Sequence, residues 1–373
     1  MYKILKAEKL NEIVYLMEVE APMVAKHCEP GQFIIVKLDD AGERIPLTIC
    51  DYDREAGTVT IVFQPIGAST EKFAKLQAKD AFEDFVGPLG CPSEFVHEDL
   101  EELKKEKILF VAGGVGTAPV YPQVKWLHEH GIDADVIVGA KTKDLIILEK
   151  EMEAVAGNLY ITTDDGSYGR SGMVTKVIDD LVAEGKKYTR CVAIGPMIMM
   201  KFCCLTTKKY EIPTIVSMNP IMVDGTGMCG ACRVIVGGEV KFACVDGPEF
   251  DGHQVDFDEM LKRMGAFKTI EREELHKLDE CEATKVIDEN GRTAPWREAL
   301  RKAIKAKDRA NIERCQMNEL DPEYRSHSRK EEVNQGLTKE QAVTEAQRCL
   351  DCANPGCMTG CPVPLPTWTL YFI

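Results

Sequence analysis

Along the first hundred residues, apolar positions fall in short runs separated by turn residues. IVYLMEV, QFIIVKL, PLTIC, TVTIVFQ and FEDFVG have strand composition. Pro30-Gly31, Ala56-Gly57, Pro65-Ile66-Gly67 and Gly87-Pro88-Leu89-Gly90 punctuate them. Short strands this close together predict an antiparallel β-barrel over residues 1–98. The rhythm then changes. Across 99–217, the apolar segments ILFVA, ADVIVGA, NLYITT, RCVAIG and PTIVS alternate with longer helix-like stretches. That alternation predicts an α/β domain of βαβ units on a parallel sheet, which binds ligands at the carboxyl ends of its strands. Residues 218–250 are short and glycine-rich, and 251–281 predict a helical linker. From 282 to 373 a separate helical piece is expected. It has a basic helix opening at Pro295 and a second helix from Thr338 to Arg348.

Charge sharpens the boundary near 281. The chain has 373 residues and a net charge of −15. Residues 282–373 hold 14 basic and 14 acidic side chains, so the whole excess lies in 1–281. An acidic body excludes nucleic acid as a partner, since phosphate binding needs a basic patch. No stretch approaches the roughly 18 apolar residues of a membrane span, and the N-terminus lacks the apolar core of a signal peptide. The expected location is therefore cytoplasmic, with no membrane partner.

The fifteen cysteines divide by spacing. Cys28, Cys50, Cys91, Cys191, Cys203, Cys204, Cys281 and Cys315 have no ligand spacing and are expected to be buried or incidental thiols. Asp224-x4-Cys229-x2-Cys232-x11-Cys244 follows a plant-type [2Fe–2S] loop, Cys-x4-Cys-x2-Cys with a later fourth ligand, except that Asp224 stands first. Carboxylate is a harder ligand than thiolate and should shift the potential. Zinc, which also takes three Cys and one Asp, is the alternative; the glycines at 225, 227 and 230 suit a loop wrapped tightly round a cluster. A second run, Cys349-x2-Cys352-x4-Cys357-x3-Cys361-Pro362, is close to a [4Fe–4S] ligand run, with zinc or an empty thiol loop as its alternative.

Two further constellations suit nucleotides. The strand Ile108–Ala112 runs into Gly113-Gly114-Val115-Gly116-Thr117-Ala118-Pro119, where glycines let backbone approach a pyrophosphate at a helix start. The spacing is not the G-x-G-x-x-G fingerprint. Two more strand ends, at Asp164-Asp165-Gly166 and at Gly195-Pro196-Met197, turn the loop into a candidate crevice. In the barrel, Arg44, Pro46, Leu47 and Thr48 offer a cation and a hydroxyl on an extended segment. Val62, Phe63 and Gln64 run into Gly67, Ser69 and Thr70, so these two segments together could hold a flavin and its diphosphate. Taken separately, an Arg at a strand end and a Ser-Thr pair at a helix start are ordinary features.

In this order, RIPLT, GAST, GPLG, AGGVGTAP, DDGSYG, IGPMIMM and VDGTGMCGACRV…FACVDGP resemble the ferredoxin reductase-like flavoproteins. The closest group is their iron–sulfur electron-transfer subunits: those of dihydroorotate dehydrogenase, of sulfide dehydrogenase, and of NADH-dependent ferredoxin:NADP oxidoreductase. The resemblance covers about residues 1–281. It implies FAD on the barrel segments, NAD(H) over Gly113–Pro119, Asp164 and Gly195–Met197, and a [2Fe–2S] cluster on Asp224, Cys229, Cys232 and Cys244. Hydride arriving from the nucleotide would leave as single electrons. That needs no acid–base side chain, so no catalytic residue is assigned. Lys141 and Lys143 stand where a 2′-phosphate would bind, so NADP stays open beside NAD. Asp224 matches the oxidoreductase and sulfide dehydrogenase branch; dihydroorotate dehydrogenase subunits carry a fourth cysteine there. Residues 282–373, through EEVNQGLTKEQAVTEAQRCLDCANPGCMTGCPV, resemble the N-terminal part of the glutamate synthase small subunit, cut short after half a ligand set. The implied partners are a larger, glutamate synthase-like flavin and iron–sulfur subunit, a dihydroorotate dehydrogenase catalytic subunit, or ferredoxin.

Overall fold

The computed structural model describes residues 1–40 and 42–265, with scattered positions between 271 and 344. The chain divides into two compact units, Met1–Arg272 and Glu273–Ile373.

The first unit opens with β1 (Tyr2–Asn11), β2 (Val14–Glu20), α1 (Pro22–His27), β3 (Phe33–Lys37), β4 (Ile45–Asp53), β5 (Thr58–Phe63), α2 (Ala68–Phe73), β6 (Ala81–Phe82) and β7 (Asp84–Leu89). These strands form an antiparallel sheet in the order β6-β1-β2-β5-β4-β3-β7. Its two end strands are separated by one residue, Glu83, whose N–H donates to the Lys37 carbonyl at 3.1 Å. The sheet therefore curls until its ends share a corner, giving a nearly closed barrel. Strand periodicity fills it: Val59, Ile61 and Phe63 of β5 point into the barrel core, and Val62 points the other way.

Next come α3 (Leu100–Leu103), β8 (Ile108–Gly113), α4 (Thr117–Glu129), β9 (Asp135–Ala140), α5 (Glu149–Val155), β10 (Asn158–Thr163), β11 (Arg170–Ser171), α6 (Val174–Ala183), β12 (Arg190–Ile194), α7 (Met197–Lys209) and β13 (Thr214–Ser217). A hairpin of β14 (Arg233–Val236) and β15 (Glu239–Phe242) follows, then β16 (Glu249–Asp251) and α8 (Phe257–Met264). Gly237 and Gly238, both at positive φ, make the hairpin turn. The second sheet runs β11-β10-β9-β8-β12-β13-β16, parallel except where β16 joins β13. Both faces of β8 are buried, with Leu109 and Val111 on one side and Phe110 and Ala112 on the other. This explains why that strand reads as an unbroken apolar run. The chain leaves β8 toward β9 and β10 and returns to β12 on β8's other side. The topological switch point thus lies between β8 and β12.

The expected apolar segments all form strands. The first strand, β1, was not among them, because only Ile4 of its ten residues is buried and it shows no alternation. It is held by its ladder with β2. In the second unit, Thr338 and Gln341 bond reciprocally: Gln341 N–H donates to Thr338 Oγ1 at 3.2 Å, and Thr338 N–H donates to Gln341 Oε1 at 2.8 Å. This capping pair starts a helix where the sequence expects one. Most of the stretch up to Arg348, most of the expected Pro295 helix, Cys281 and the ligand run Cys349, Cys352, Cys357 and Cys361 lie outside the described residues; within the expected helices, Asp308 and Thr344 are helical. Cys28, Cys50, Cys191, Cys203 and Cys204 are buried as expected, whereas Cys91 is exposed. Among the described residues, no helix is long and apolar enough to cross a membrane.

Candidate functional site

In the barrel, register creates an opening. Strand β4 pairs with β5 only from Ile49 onward, where Ile49 faces Ile61, whereas Phe33 to Val36 of β3 pair with β4 from Thr48 back to Ile45. On the other side, Val62 and Phe63 pair only with β2. The two strands therefore splay apart, with Ile45–Thr48 on one lip and Val62–Gln64 on the other. Pro46, Leu47 and Thr48 are half-buried along this lip, as is Gln64 opposite. The Val62 and Phe63 side chains are buried, leaving only their backbone to face the gap. Ser69 reaches back across the mouth and donates to the Glu43 carboxylate. Thr70 Oγ1 accepts from the Ile66 and Gly67 N–H groups at 3.0 and 3.2 Å, pinning the turn that leads into α2. A Cβ on Gly67 would meet nothing within 4 Å, so this turn presents open backbone.

Arg44 behaves differently from its neighbours. Its Nε donates to the Val223 carbonyl at 2.7 Å, its Nη2 to the Asp224 carbonyl at 3.4 Å, and its Nη1 lies 3.9 Å from Asp84. The guanidinium thus ties the barrel lip to the cysteine-bearing loop.

At the switch point the glycines do two jobs. A Cβ on Gly116 would lie 2.3 Å from the Ile194 carbonyl oxygen, and one on Gly195 would lie 3.1 Å from the Gly113 backbone. These glycines let the β8 and β12 loops touch. Gly114, at φ +54°, would point a Cβ into open space, so its bare backbone is what a ligand would meet. Thr117 Oγ1 donates to the Gly114 carbonyl at 2.9 Å and fixes the turn. Of the other residues singled out here, Ala118, Pro119 and Met197 are buried in packing, Val115 and Gly195 are half-buried, and Pro196 is exposed. Asp164 is exposed two strands away from β8, at the end of β10. Lys143 sits over the Tyr168 ring at 5.1 Å.

The cysteine loop brings its four expected ligands together as two pairs. Cys229 Sγ lies 3.4 Å from Asp224 Oδ1, and Cys232 Sγ lies 3.1 Å from Cys244 Sγ. The first pair is the more exposed and the second is buried. Three N–H groups of the loop, from Thr226, Met228 and Cys229, converge on the Asp224 carboxylate at 3.1–3.2 Å. The Thr226 N–H, followed by the Cys229 thiol and N–H, holds the Asp224 carboxyl below the usual range, so it is ionised. Burial beside Cys232 pushes the Cys244 thiol well above the ordinary thiol range. A thiolate there calls for a cation in contact. Among the described residues, no three or more His, Cys, Asp or Glu side chains gather as a centre for one metal ion. Two pairs of donors, one oxygen–sulfur and one sulfur–sulfur, fit a two-iron cluster in which each iron would take two protein ligands.

One site feature left no trace in the sequence. Glu249 Oε1 accepts from Ser93 Oγ at 3.0 Å and from Gln123 Nε2 at 2.8 Å. It joins β16 to α4 and to the segment leaving the barrel. Nothing in GPEF marks that carboxyl, because its partners lie more than a hundred residues upstream.

The chain is similar to several known proteins. Residues 219–256 match the iron–sulfur cluster binding domain of dihydroorotate dehydrogenase B. Residues 325–369 match dihydropyrimidine dehydrogenase domain II, 4Fe-4S cluster. The dihydroorotate dehydrogenase B (NAD(+)) electron transfer subunit homolog of Thermotoga maritima is 44% identical over 270 residues, covering 72% of this chain and 93% of that protein. A Clostridium beijerinckii protein, described only as an uncharacterized protein in the adh 3′ region, is 62% identical over 272 residues, covering 73% and 92%. Among solved structures, an NADH-dependent reduced ferredoxin-NADP oxidoreductase, described in connection with flavin-based electron bifurcation, superposes with a TM-score of 0.68. It is 44% identical and covers 73% of this chain and 97% of that one.

Proposed function

The chain belongs to the family of dihydroorotate dehydrogenase B electron-transfer subunits and their homologues, and on that premise we propose that it passes electrons between NAD(H) and a partner through FAD and a [2Fe–2S] cluster. The chain is an NAD(H)-linked flavin and iron–sulfur oxidoreductase of the ferredoxin reductase type. The finer assignments are ours. FAD lies in the β4–β5 splay of the barrel, residues 1–98, against Pro46–Thr48, Gln64 and Gly67. NAD(H) lies over Gly114 and the β12 loop of the domain 99–217. Asp224 and Cys229 hold one iron, and Cys232 and Cys244 hold the other, in the domain 218–250. Residues 251–281 link this body to 282–373.

The observation that carries the reading is the pairing of the donors at 3.4 and 3.1 Å. Bound together, flavin and cluster convert a two-electron hydride into single-electron steps. The residues' own work is to orient and to shield. Gly114 lets the nucleotide approach, Thr117 keeps that turn closed, and the buried Cys232–Cys244 pair keeps water from one side of the cluster.

Residues 325–369 support a [4Fe–4S] role for Cys349, Cys352, Cys357 and Cys361. We read 282–373 as a glutamate synthase-like segment fused to the reductase. The favoured partner is a larger flavin and iron–sulfur subunit, as in NADH-dependent ferredoxin:NADP oxidoreductase. Asp224 in place of a fourth cysteine favours that branch. The second reading is the electron-transfer subunit of dihydroorotate dehydrogenase in pyrimidine synthesis. Co-purification of a flavin-bearing TIM-barrel subunit would establish the second reading over the first. The direct test is an anaerobic spectrum with metal and flavin assays, titrated with NADH and then NADPH. Flavin bleaching by NADH and about two irons per chain from this cluster are expected. Zinc in place of iron overturns the assignment.

A further inference from the structure

The start of the cluster loop is seated on the flavin barrel. Arg44, one residue before β4, donates to two consecutive carbonyls, Val223 at 2.7 Å and Asp224 at 3.4 Å. Asp84, at the start of β7, lies 3.9 Å from the same guanidinium. The next loop residue, Gly225, is buried at φ +77°, where a Cβ would lie 2.7 Å from Ile35 Cδ1 of β3 and 2.8 Å from Leu89 Cδ1 of β7. Two barrel strands and the residue that leads into a third therefore bear on residues 223–225, by hydrogen bond and by close packing independently.

Within the loop, the Asp224 side chain is fixed from the other direction by the Thr226, Met228 and Cys229 N–H groups. Its backbone is thus set by the barrel and its carboxylate by the loop. Of the four ligands, this one most needs such support. A carboxylate has one more torsion to fix than a thiolate. As a hard oxygen donor, it is also the poorest match to a centre otherwise bound by sulfur.

We infer that Arg44 is a positioning residue for the iron–sulfur centre: by holding the Val223 and Asp224 carbonyls, it aims the Asp224 carboxylate at the cluster from the flavin domain. The same side chain bounds both cofactor sites, since Arg44 also begins the lip of the β4–β5 opening. This inference rests on the reading of Asp224, Cys229, Cys232 and Cys244 as cluster ligands.

The test uses the full chain, purified anaerobically, as wild type, R44Q and R44K. Three quantities are read: iron and labile sulfide per chain, the rate of iron loss to a chelator, and the EPR spectrum of the chemically reduced protein. Each variant is compared with wild type at equal flavin content, the flavin being stripped from wild type if a variant arrives without it. R44Q should lose iron about tenfold faster than wild type, in line with the loss of an outer-shell ligand support, and its EPR g values should shift. R44K keeps the charge but lacks the fork that reaches two carbonyls, so it should fall between the two. If R44Q is insoluble, the R44K shift alone carries the test. A wild-type EPR spectrum and chelation rate in either soluble variant overturns the inference and leaves Arg44 to the flavin alone. Absence of a two-iron signal from wild type itself sinks the underlying ligand assignment, which is a separate and visible failure.

Discussion

Replacing Glu249 by glutamine should make the protein more stable, and increasingly so as pH rises. Burial pushes the Glu249 carboxyl from 4.5 up to about 7, with repulsion from Glu94 adding to it; the hydrogen bonds from Ser93 and Gln123 and the charge of Arg190 only partly oppose this. Space at this joint is tight. A Cβ on Gly31, which sits at φ +88°, would lie 2.5 Å from Ser93 Oγ and 3.2 Å from Glu249 Oε1. The folded state therefore holds a proton that the unfolded chain releases near pH 4.5. The carboxyl's contribution is fully present below pH 4.5 and is lost as pH rises through about 7. At 1.36 kcal/mol per pH unit, a shift of that size corresponds to an upper limit of about 3 kcal/mol, reached above neutral pH. Glutamine keeps the oxygen that Ser93 and Gln123 donate to and cannot ionise. In thermal melts of the full chain at one scan rate, the two proteins should nearly coincide at the acid end. E249Q should melt higher at the alkaline end by up to about 6 °C, at about 2 °C per kcal/mol for a unit of this size. A gap that does not change with pH, or a wild type that melts higher above pH 7, would refute the reasoning.

The glycines of the nucleotide crevice should separate by role. G116A places a methyl 2.3 Å from the Ile194 carbonyl oxygen and should cost well over ~2 kcal/mol, seen as lost soluble yield. G114A meets no atom but carries an αL penalty of about 1 kcal/mol; it should fold and show a raised KM for NADH in stopped-flow flavin reduction. C232A and C244A should each remove about two irons per chain by metal assay, whereas C91A should leave iron content unchanged, although Cys91 is exposed and Cys232 is not. Among the described cysteines outside the cluster loop, Cys91 should be the first alkylated by iodoacetamide, with Cys28, Cys50, Cys191, Cys203 and Cys204 protected, as read by peptide mass spectrometry. D224C should retain two irons and change the cluster's midpoint potential, because thiolate replaces the harder carboxylate; an unchanged potential would remove Asp224 from the ligand set.

Much of the fold was legible because its strands announce themselves locally. The run ILFVA has both faces buried, and the apolar residues of TVTIVF divide between two cores, Val59, Ile61 and Phe63 in one and Val62 in the other, so their hydrophobicity reports their place. Strand β1 escaped notice because pairing to β2, not burial, holds it. The short β16 escaped for the same reason: three residues add to the sheet only because β13 has a free edge there. The candidate site was legible as motifs and not as roles. Ala118, Pro119 and Met197 stand inside recognisable motifs, and the structure buries their side chains. Gly114 alone among the crevice glycines at 113, 114, 116 and 195 would turn a Cβ into open space.

By itself, the sequence determined the two strand rhythms, the glycine turns at strand ends and the spacing Asp224-x4-Cys229-x2-Cys232-x11-Cys244. Each depends on neighbours a few residues apart, where backbone periodicity and loop reach decide. The tertiary structure alone decided which groups separated by long stretches of chain meet. It set the register at which β4 leaves β5 and opens the barrel. It sorted the four candidate ligands into a more exposed pair and a buried pair. It brought Glu249 to Ser93 and Gln123, where burial raises its proton affinity, and it brought Arg44 onto a loop 179 residues away. Contacts of that kind follow from how separate cores pack against one another, and no local pattern of hydrophobicity or charge encodes them.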